Sequence, residues 1–269
     1  MISNKFLIGG DPEFPCINTK TNKYVSLVPY VKGTKQEKYP IPVNLCFQQI
    51  DNVGIEFCTP PCTEYEYYAV LVDNCINHTN TWLKTINPAF ELQVVSSAKY
   101  DDNELNSEEA QSFGCEPSYS IYRNGESYRP SAEEVGPLRS FSYHIHYGFD
   151  KGLTKTEFKN FIVLNDLFLG IPSIEIDLDE DRRKIYGNLS DHRYKSPTRF
   201  EYRTLGAGVH NNTNFISRGI QMIRDNVNNA KTLVKRYYND LSILDATNID
   251  KELFNDIKLK LIKDGIYNQ

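Results

Sequence analysis

The stretch Arg199-Phe-Glu-Tyr-Arg203 places an arginine two residues before and two residues after a glutamate. In an extended strand, successive side chains point to opposite faces, so both arginines and Glu201 share one face. The phenylalanine and the tyrosine point to the other face, as in a strand whose back packs on a core. The charged face suits an ionic ligand, such as a phosphate held beside a metal ion. The alternative is a solvated sheet face with cross-strand ion pairs.

Carboxylates occur near the ends of other predicted strands. Asp11 and Glu13 follow a short apolar strand and are spaced to share a face, and Glu56 lies near the end of a strand predicted over residues 49–57. Carboxylate oxygens are the ligands that Mg²⁺ prefers in proteins. The alternatives are that Asp11 only caps the turn at the adjacent glycines and that Glu56 pairs with a lysine on a sheet edge.

Two histidines add imidazole to this set. His144 and His146 share a face of a strand predicted over residues 139–149. An imidazole among carboxylates suits Mg²⁺ or Mn²⁺ in a mixed shell, or zinc in a smaller one. Carboxylates for metal ions, together with arginines, are what a nucleoside triphosphate requires, because cations bridge its oxygens and guanidinium groups neutralise the transferred phosphoryl group. The set therefore favours phosphoryl chemistry over a merely solvated surface.

The elements that position these residues are indicated by apolar periodicity and capping signals. Helices are predicted over residues 64–86, 154–169, 214–241 and 251–263. Their expected capping residues are Thr63, the capping box of Thr154 and Glu157, Thr213, and Asp250. Gly170 and Pro172 are expected to end the second helix.

Composition is that of an ordinary globular protein. The chain has 269 residues, 40% hydrophobic and 24% charged, with a net charge of −5 and no basic block of the kind that indicates a nucleic-acid partner. We expect a cytoplasmic protein, because the apolar run at the N-terminus is too short for a signal peptide and no run approaches the roughly 20 apolar residues of a membrane span. The six scattered cysteines are expected to be free thiols. Without a repeat or composition break, one α+β domain over residues 1–269 is the simplest prediction.

Five motifs in order resemble the phage-type carboxylate-amine ligases of the glutamine synthetase superfamily. They lie between residues 5 and 210, and the predicted helices of residues 211–269 match nothing diagnostic. The motifs are Gly10-Asp-Pro-Glu-Phe14, Asn52-Val-Gly-Ile-Glu-Phe57, Phe113-Gly-Cys-Glu-Pro-Ser-Tyr119, Arg139 through His144-Ile-His-Tyr-Gly148, and Asp181-Arg-Arg-Lys-Ile-Tyr-Gly187 continuing to Arg193-Tyr-Lys195 and Arg199-Phe-Glu-Tyr-Arg-Thr-Leu205.

The resemblance implies a curved, mainly antiparallel sheet that binds ATP and two or more Mg²⁺ ions, with Mn²⁺ as a substitute, in a cytoplasmic enzyme that would act in the host cytosol if a phage encodes it. By position, the implied metal ligands are Asp11, Glu13, Glu56, His144 and Glu201. The implied catalytic residues are Glu201, Arg203, which would stabilise the transferred phosphoryl group, and Arg193, a mobile-loop arginine near phosphate or substrate. His146 and Arg199 are the further implied contacts to the nucleotide. Arg139 is a candidate for holding a substrate carboxylate, and Glu116 and Asp51 are candidates for accepting a proton from the amine.

This chain departs from the family pattern at three places. Ser142-Tyr143 stands where two glycines are usual, Ser118 stands where an aspartate is usual, and residues 188–191 lack a usual glycine. The expected reaction is phosphorylation of a substrate carboxylate by ATP, followed by attack of an amine on the acyl phosphate; either substrate could be a small molecule or a peptide. The alternatives are a metal-dependent hydrolase and an inactive phage protein that binds or supports other molecules.

Overall fold

The computed structural model describes residues 2–111, 117–123, 125–127, 130–177, 179–244 and 250–267. Within these ranges the protein combines helices with sheets whose strand pairs are antiparallel. The α+β class and the mainly antiparallel sheets expected from the sequence are therefore confirmed.

The strands are short, and several contribute single polar side chains to the candidate site. They are β1 (Leu7–Gly10), β2 (Glu13–Phe14), β3 (Cys16–Asn18), β4 (Lys23–Val25), β5 (Tyr39–Pro40), β6 (Phe47–Asp51), β7 (Gly54–Cys58), β8 (Phe90–Leu92), β9 (Ser97–Lys99), β10 (Tyr119–Ser120), β11 (Gly125–Glu126), β12 (Leu138–Ser140), β13 (Ile145–Gly148), β14 (His192–Ser196) and β15 (Arg199–Tyr202).

The helices occupy the middle and the C-terminal part of the chain. They are α1 (Tyr65–Ile86), α2 (Glu108–Gln111), α3 (Ala132–Val135), α4 (Lys155–Asn165), α5 (Ile171–Ile176), α6 (Glu180–Ile185), α7 (Thr213–Asn226), α8 (Ala230–Ile243) and α9 (Lys251–Lys263).

A six-stranded sheet with the order β1-β13-β15-β14-β10-β11 carries four of the predicted site residues, His146, Arg193, Arg199 and Glu201, and Asp11, His144 and Arg203 directly adjoin its strands. Its central strands alternate between a polar and an apolar face, because His146 lies opposite Glu201 while Tyr147 lies opposite Phe200. The apolar face packs on α4, where Phe161 contacts the rings of Tyr147 and Phe200 at centroid distances of 5.0 and 5.6 Å. The predicted division of residues 199–203 into a charged face and a core face is thus confirmed.

Two predicted strands are each divided in the structure. Residues 49–57 form parts of β6 and β7, which pair as a hairpin across Asn52, whose φ of +53° is left-handed. Residues 139–149 contribute to β12 and β13, which belong to different sheets. The first division brings Glu13, Glu56 and Gln49 into one row of the four-stranded sheet β2-β7-β6-β5.

The helix boundaries also differ from the sequence prediction at several points. Gly170 and Pro172 do not end the helical segment, since a π-helical turn over Asp166–Gly170 leads directly into α5. Proline is tolerated there because the first turn of a helix needs no N–H donor. The predicted helix over residues 214–241 is interrupted by a 3₁₀ turn at Val227–Asn229.

Two of the four capping predictions are confirmed and two are wrong. The capping box of Thr154 and Glu157 is present, and Asp250 accepts the N–H groups of Glu252 and Leu253. The chain enters α1 at Glu64 and not at Thr63, while Asn212 and not Thr213 caps α7.

The described cysteines, Cys16, Cys46, Cys58, Cys62 and Cys75, are free thiols, as expected. Among the described residues, no helix combines the length and the apolar character needed to cross a membrane.

Candidate active site

Asp11, His146 and Glu201 meet where three strands of the six-stranded sheet lie side by side. The register pairs Gly9 of β1 with His146 of β13, and His146 with Glu201 of β15. The His146 Nε2 atom lies 3.2 Å from Asp11 Oδ2 and 3.8 Å from Glu201 Oε2. One ligand atom from each of the three residues lies within 4.8 Å of the others, so the group has the dimensions of a cation site.

His144 contacts the same two carboxylates from the buried side. Its Nδ1 atom lies 3.1 Å from Asp11 Oδ1 and 3.6 Å from Glu201 Oε1, and its Nε2 atom lies 3.3 Å from the Tyr186 hydroxyl. Burial lowers the pKa of His144 to about 4, although Asp11 acts in the opposite direction. The imidazole is therefore neutral near pH 7, which is the form that binds metal ions.

Three cationic side chains surround Glu201, which is only 1% exposed. Arg193 contacts Glu201 Oε2 through Nη2 at 2.6 Å and Nε at 2.8 Å. The Nε atom of Arg203 lies 3.2 Å from Glu201 Oε1, and its Nη1 donates to the Ser118 hydroxyl at 3.0 Å. Lys195 Nζ lies 3.8 Å from Glu201 Oε2. Of the three, Lys195 and Arg193 are the more accessible, whereas Arg203 is as buried as Glu201.

Glu13, Asp51 and Glu56 form a second group beside the first. The two groups are linked by the chain, because only Pro12 separates Glu13 from Asp11. One carboxylate oxygen from each lies within 4.8 Å of the others. Glu13 and Glu56 are directly opposite each other on β2 and β7, and the Ser142 N–H donates to Glu13 Oε2 at 2.8 Å. Gln49 donates through Nε2 to Glu56 Oε1 at 2.6 Å.

In the second group, Lys35 Nζ lies 3.2 Å from Asp51 Oδ1, while burial and the neighbouring aspartates disfavour the ionised forms of the two glutamates. Burial raises the pKa of Glu13 to about 8, and the neighbouring Asp51 and Asp11 raise it further. Burial also raises the pKa of Glu56 well above its usual range, with the same two aspartates contributing. In the first group, burial and Asp11 raise the pKa of Glu201, but the two histidines and Arg203 outweigh them and leave it below its usual value. The two carboxylate groups therefore differ in charge state near neutral pH.

The donor atoms fit divalent cations. In the second group, Gln49 Oε1 is buried and makes no hydrogen bond to other described residues. Buried polar atoms without a hydrogen bond are rare in proteins, so its lone pairs are suited to an ion. Carboxylate oxygens with one or two imidazoles are a donor set for Mg²⁺ or Mn²⁺.

Not every predicted residue reaches this site. Arg139 Nε and Nη2 donate to the Ala110 carbonyl at 3.2 and 3.1 Å, and its Nη1 donates to the Gly136 and Leu138 carbonyls. These contacts favour a structural role for Arg139 over binding of a substrate carboxylate. Arg199 is exposed at the start of β15, two residues before Glu201. Glu116 lies outside the described residues.

Two of the places at which the sequence departs from the pattern that it resembles fall on supporting positions. The Tyr143 hydroxyl points into the core, 3.1 Å from the Tyr65 hydroxyl and 3.2 Å from His210 Nδ1. Ser142 contributes its backbone N–H to Glu13, and Ser118 contacts Arg203. The bulk of Tyr143 is thus accommodated beneath the site, away from the carboxylates.

The sequence did not indicate four residues of the site, Arg182, Tyr186, Gln49 and Lys195, the last of which lies beside Glu201. Tyr186 contacts His144, and the centroid of its ring lies 5.3 Å from the guanidinium carbon of Arg182 and 5.6 Å from that of Arg203. Arg182 is fully buried and donates to the carbonyls of residues 204 and 205. Arg182 and Tyr186 both lie in the stretch Asp181–Gly187, which belongs to the resemblance, but neither residue was given a role from the sequence. Gln49 was missed because only its strand pairing relates it to Glu56.

No family model matches the sequence, and no curated protein matches it either.

Proposed function

We propose that the protein is an ATP-dependent carboxylate-amine ligase that uses Mg²⁺ or Mn²⁺ and forms an amide bond through an acyl phosphate. The observation that carries this proposal is the placement of Arg193 and Arg203 around Glu201, next to two groups of cation ligands. A hydrolase that activates water on a metal ion has no need of two arginines on one ligand carboxylate. Phosphoryl transfer needs both cations and guanidinium groups, because negative charge is spread over the phosphoryl oxygens.

The candidate ligand residues would form two separate cation sites. Asp11, His146 and Glu201, supported by His144, would hold one cation, and Glu13, Asp51 and Glu56 would hold another. Bound ions supply charge neutralisation and align the phosphoryl oxygens for in-line transfer.

The cationic side chains have distinct tasks. Arg203 is fixed by Glu201 and Ser118, so it presents its guanidinium without reorganisation, which favours stabilisation of charge in the transition state. The side chains of Arg193 and Lys195 are more accessible to solvent than that of Arg203, and they would contact phosphate oxygens on the solvent side of Glu201. Arg199, exposed on the same strand, is suited to a more distant part of the nucleotide.

The finer fold assignment is part of this proposal. An antiparallel sheet with one polar face that carries the cation ligands and one apolar face that packs on helices is consistent with a glutamine synthetase-like catalytic sheet. The substrates would be a carboxylate and an amine, either small molecules or carried on peptides.

Calorimetric titration with ATP, with and without Mg²⁺, tests the proposal. We expect wild type to bind ATP only with the metal, and Glu201→Gln and Arg203→Ala to lose most of that affinity. The matched control is Arg218→Ala, which removes an exposed arginine on α7 and should bind like wild type. Metal-dependent turnover of ester or amide substrates without ATP would support the hydrolase instead. No binding of ATP by wild type under either condition would refute the ligase.

A further inference from the structure

Gln49 occupies an unusual position in the second carboxylate group. Its side chain is only 2% exposed, and it lies directly opposite Glu56 in the β6-β7 pair, so it shares the face that carries Glu13 and Glu56. Its Nε2 atom donates to Glu56 Oε1 at 2.6 Å. Its Oε1 atom is buried and has no hydrogen-bond partner among the described residues.

The orientation of the Gln49 amide follows from its neighbour. When a cation is bound, Glu56 is ionised and only accepts hydrogen bonds, so the amide nitrogen then faces Glu56 Oε1 and the carbonyl oxygen points elsewhere. The same Glu56 oxygen also lies 3.7 Å from Cys58 Sγ, which leaves Oε2 as the more available ligand atom of Glu56. Buried carbonyl oxygens nearly always have a partner, so a group beyond the described residues, such as a water molecule or an ion, is expected at Gln49 Oε1.

We infer that Gln49 is a ligand residue of the second cation site. Its carbonyl oxygen binds the hard divalent cation held by Glu13, Asp51 and Glu56, directly or through a bound water, while its amide nitrogen holds Glu56. This inference rests on the proposed function, because it requires that the second group binds a cation. Amide carbonyls are suitable oxygen ligands for hard cations. A neutral ligand also increases the coordination number without adding a fourth negative charge to three carboxylates that already repel one another.

Titration with Mn²⁺, followed by electron paramagnetic resonance of the free ion, tests the role of Gln49. Wild type is expected to bind two ions. Gln49→Met keeps the length of the side chain but removes both amide atoms, so the second ion should bind about 10- to 100-fold more weakly. The first ion, at Asp11, His146 and Glu201, should bind as in wild type and serves as an internal control for folding.

The neighbouring glutamine provides a matched control. Gln48 is also buried and lies on the same strand, but it faces away from Glu56 and donates to the Lys32 carbonyl at 3.4 Å. Gln48→Met should retain both ions with unchanged affinity. Gln49→Glu keeps an oxygen at the ligand position, so it should retain the second ion within a few-fold of wild type.

The outcomes separate the inference from the proposed function. Wild type that binds no Mn²⁺ overturns both, and wild type that binds only one ion overturns the second site and the role of Gln49 with it. Two ions bound equally by wild type and Gln49→Met overturn the inference alone. Loss of the second ion in Gln49→Glu as well as in Gln49→Met would show that Gln49 only holds Glu56, which also overturns it. If Gln49→Met also loses the first ion, the variant is misfolded. Gln49→Asn then replaces it, since the asparagine side chain is too short to reach the second cation, and weaker binding of the second ion alone is again expected.

Discussion

Replacement of Glu201 by glutamine should destabilise the protein even without ligands. Glu201 and Arg203 are each 1% exposed, and their closest approach is 3.2 Å. The substitution keeps the shape of the side chain but removes its negative charge. The buried guanidinium of Arg203 then loses the negative charge 3.2 Å from its Nε atom and keeps its contact with the Ser118 hydroxyl.

The expected size of the effect follows from burial. Removal of one partner from a buried ion pair costs about 3 to 5 kcal/mol, because the other charge stays desolvated. Arg193, whose side chain is 17% exposed, can turn towards solvent and adds little to that loss. We therefore expect Glu201→Gln to lower the free energy of unfolding by about 3 to 5 kcal/mol. Replacement of a whole buried pair is often close to neutral, so the double variant Glu201→Gln/Arg203→Met should be more stable than Glu201→Gln alone.

Urea unfolding at pH 7 in the presence of a chelator measures this effect without bound metal ions. The slope of free energy against urea should be unchanged, so that the midpoint reports stability alone. Glu126→Gln, at an exposed position on β11, is the control and should stay within about 0.5 kcal/mol of wild type. A loss below about 1 kcal/mol for Glu201→Gln, or a double variant less stable than the single one, would refute the reasoning.

Two further predictions concern the supports of the site. Asp166 accepts hydrogen bonds from the hydroxyls of Tyr122 and Tyr202, and burial raises its pKa from 3.8 to about 7. The folded state therefore holds this proton more tightly, so stability should fall by about 4 kcal/mol as the pH rises from about 4 to about 7. Asp166→Asn should reduce the pH dependence of stability between pH 5 and 7.5, measured by urea unfolding, by about 2.5 kcal/mol, which is the part of the total that falls in this interval; an unchanged dependence contradicts the assignment. At Gly187, with φ of +80°, an added Cβ would lie 2.0 Å from Arg182 Nη1, so Gly187→Ala should be destabilising by several kcal/mol in thermal unfolding. Gly136, with φ of +62° and open space around it, is the control: Gly136→Ala should cost only about 1 kcal/mol, and equal losses would show that the clash is relieved.

Local signals in the sequence predicted those parts of the fold that depend on neighbouring residues. Alternation along residues 199–203 correctly separated the charged face from the core face, since side chains in a strand point alternately to either side. The capping box of Thr154 and Glu157 and the cap at Asp250 were also correct, because each contact spans at most three residues. The bounds of α1 and α9 followed from apolar periodicity for the same reason.

Predictions failed where distant residues decide the local conformation. The turn at Asn52 divides residues 49–57 into two strands, and its side chain donates to the Ala110 carbonyl and accepts from Arg139 Nε. These contacts span 58 and 87 residues, so no pattern within the hairpin indicates them. Arg139 was predicted as a candidate to hold a substrate carboxylate because its partners are distant in sequence. In the structure its guanidinium donates to backbone carbonyls.

The sequence by itself determined which side chains are available for ionic chemistry and on which strand face Glu201 and its arginines lie. Only the tertiary structure decided which of them meet. Strand pairing placed Gln49 beside Glu56 and brought Asp51 into the same group, while Tyr143 was turned into the core. The physical reason is that charge and hydrogen-bonding capacity belong to the residue, whereas desolvation and contact distances depend on the segments that pack around it.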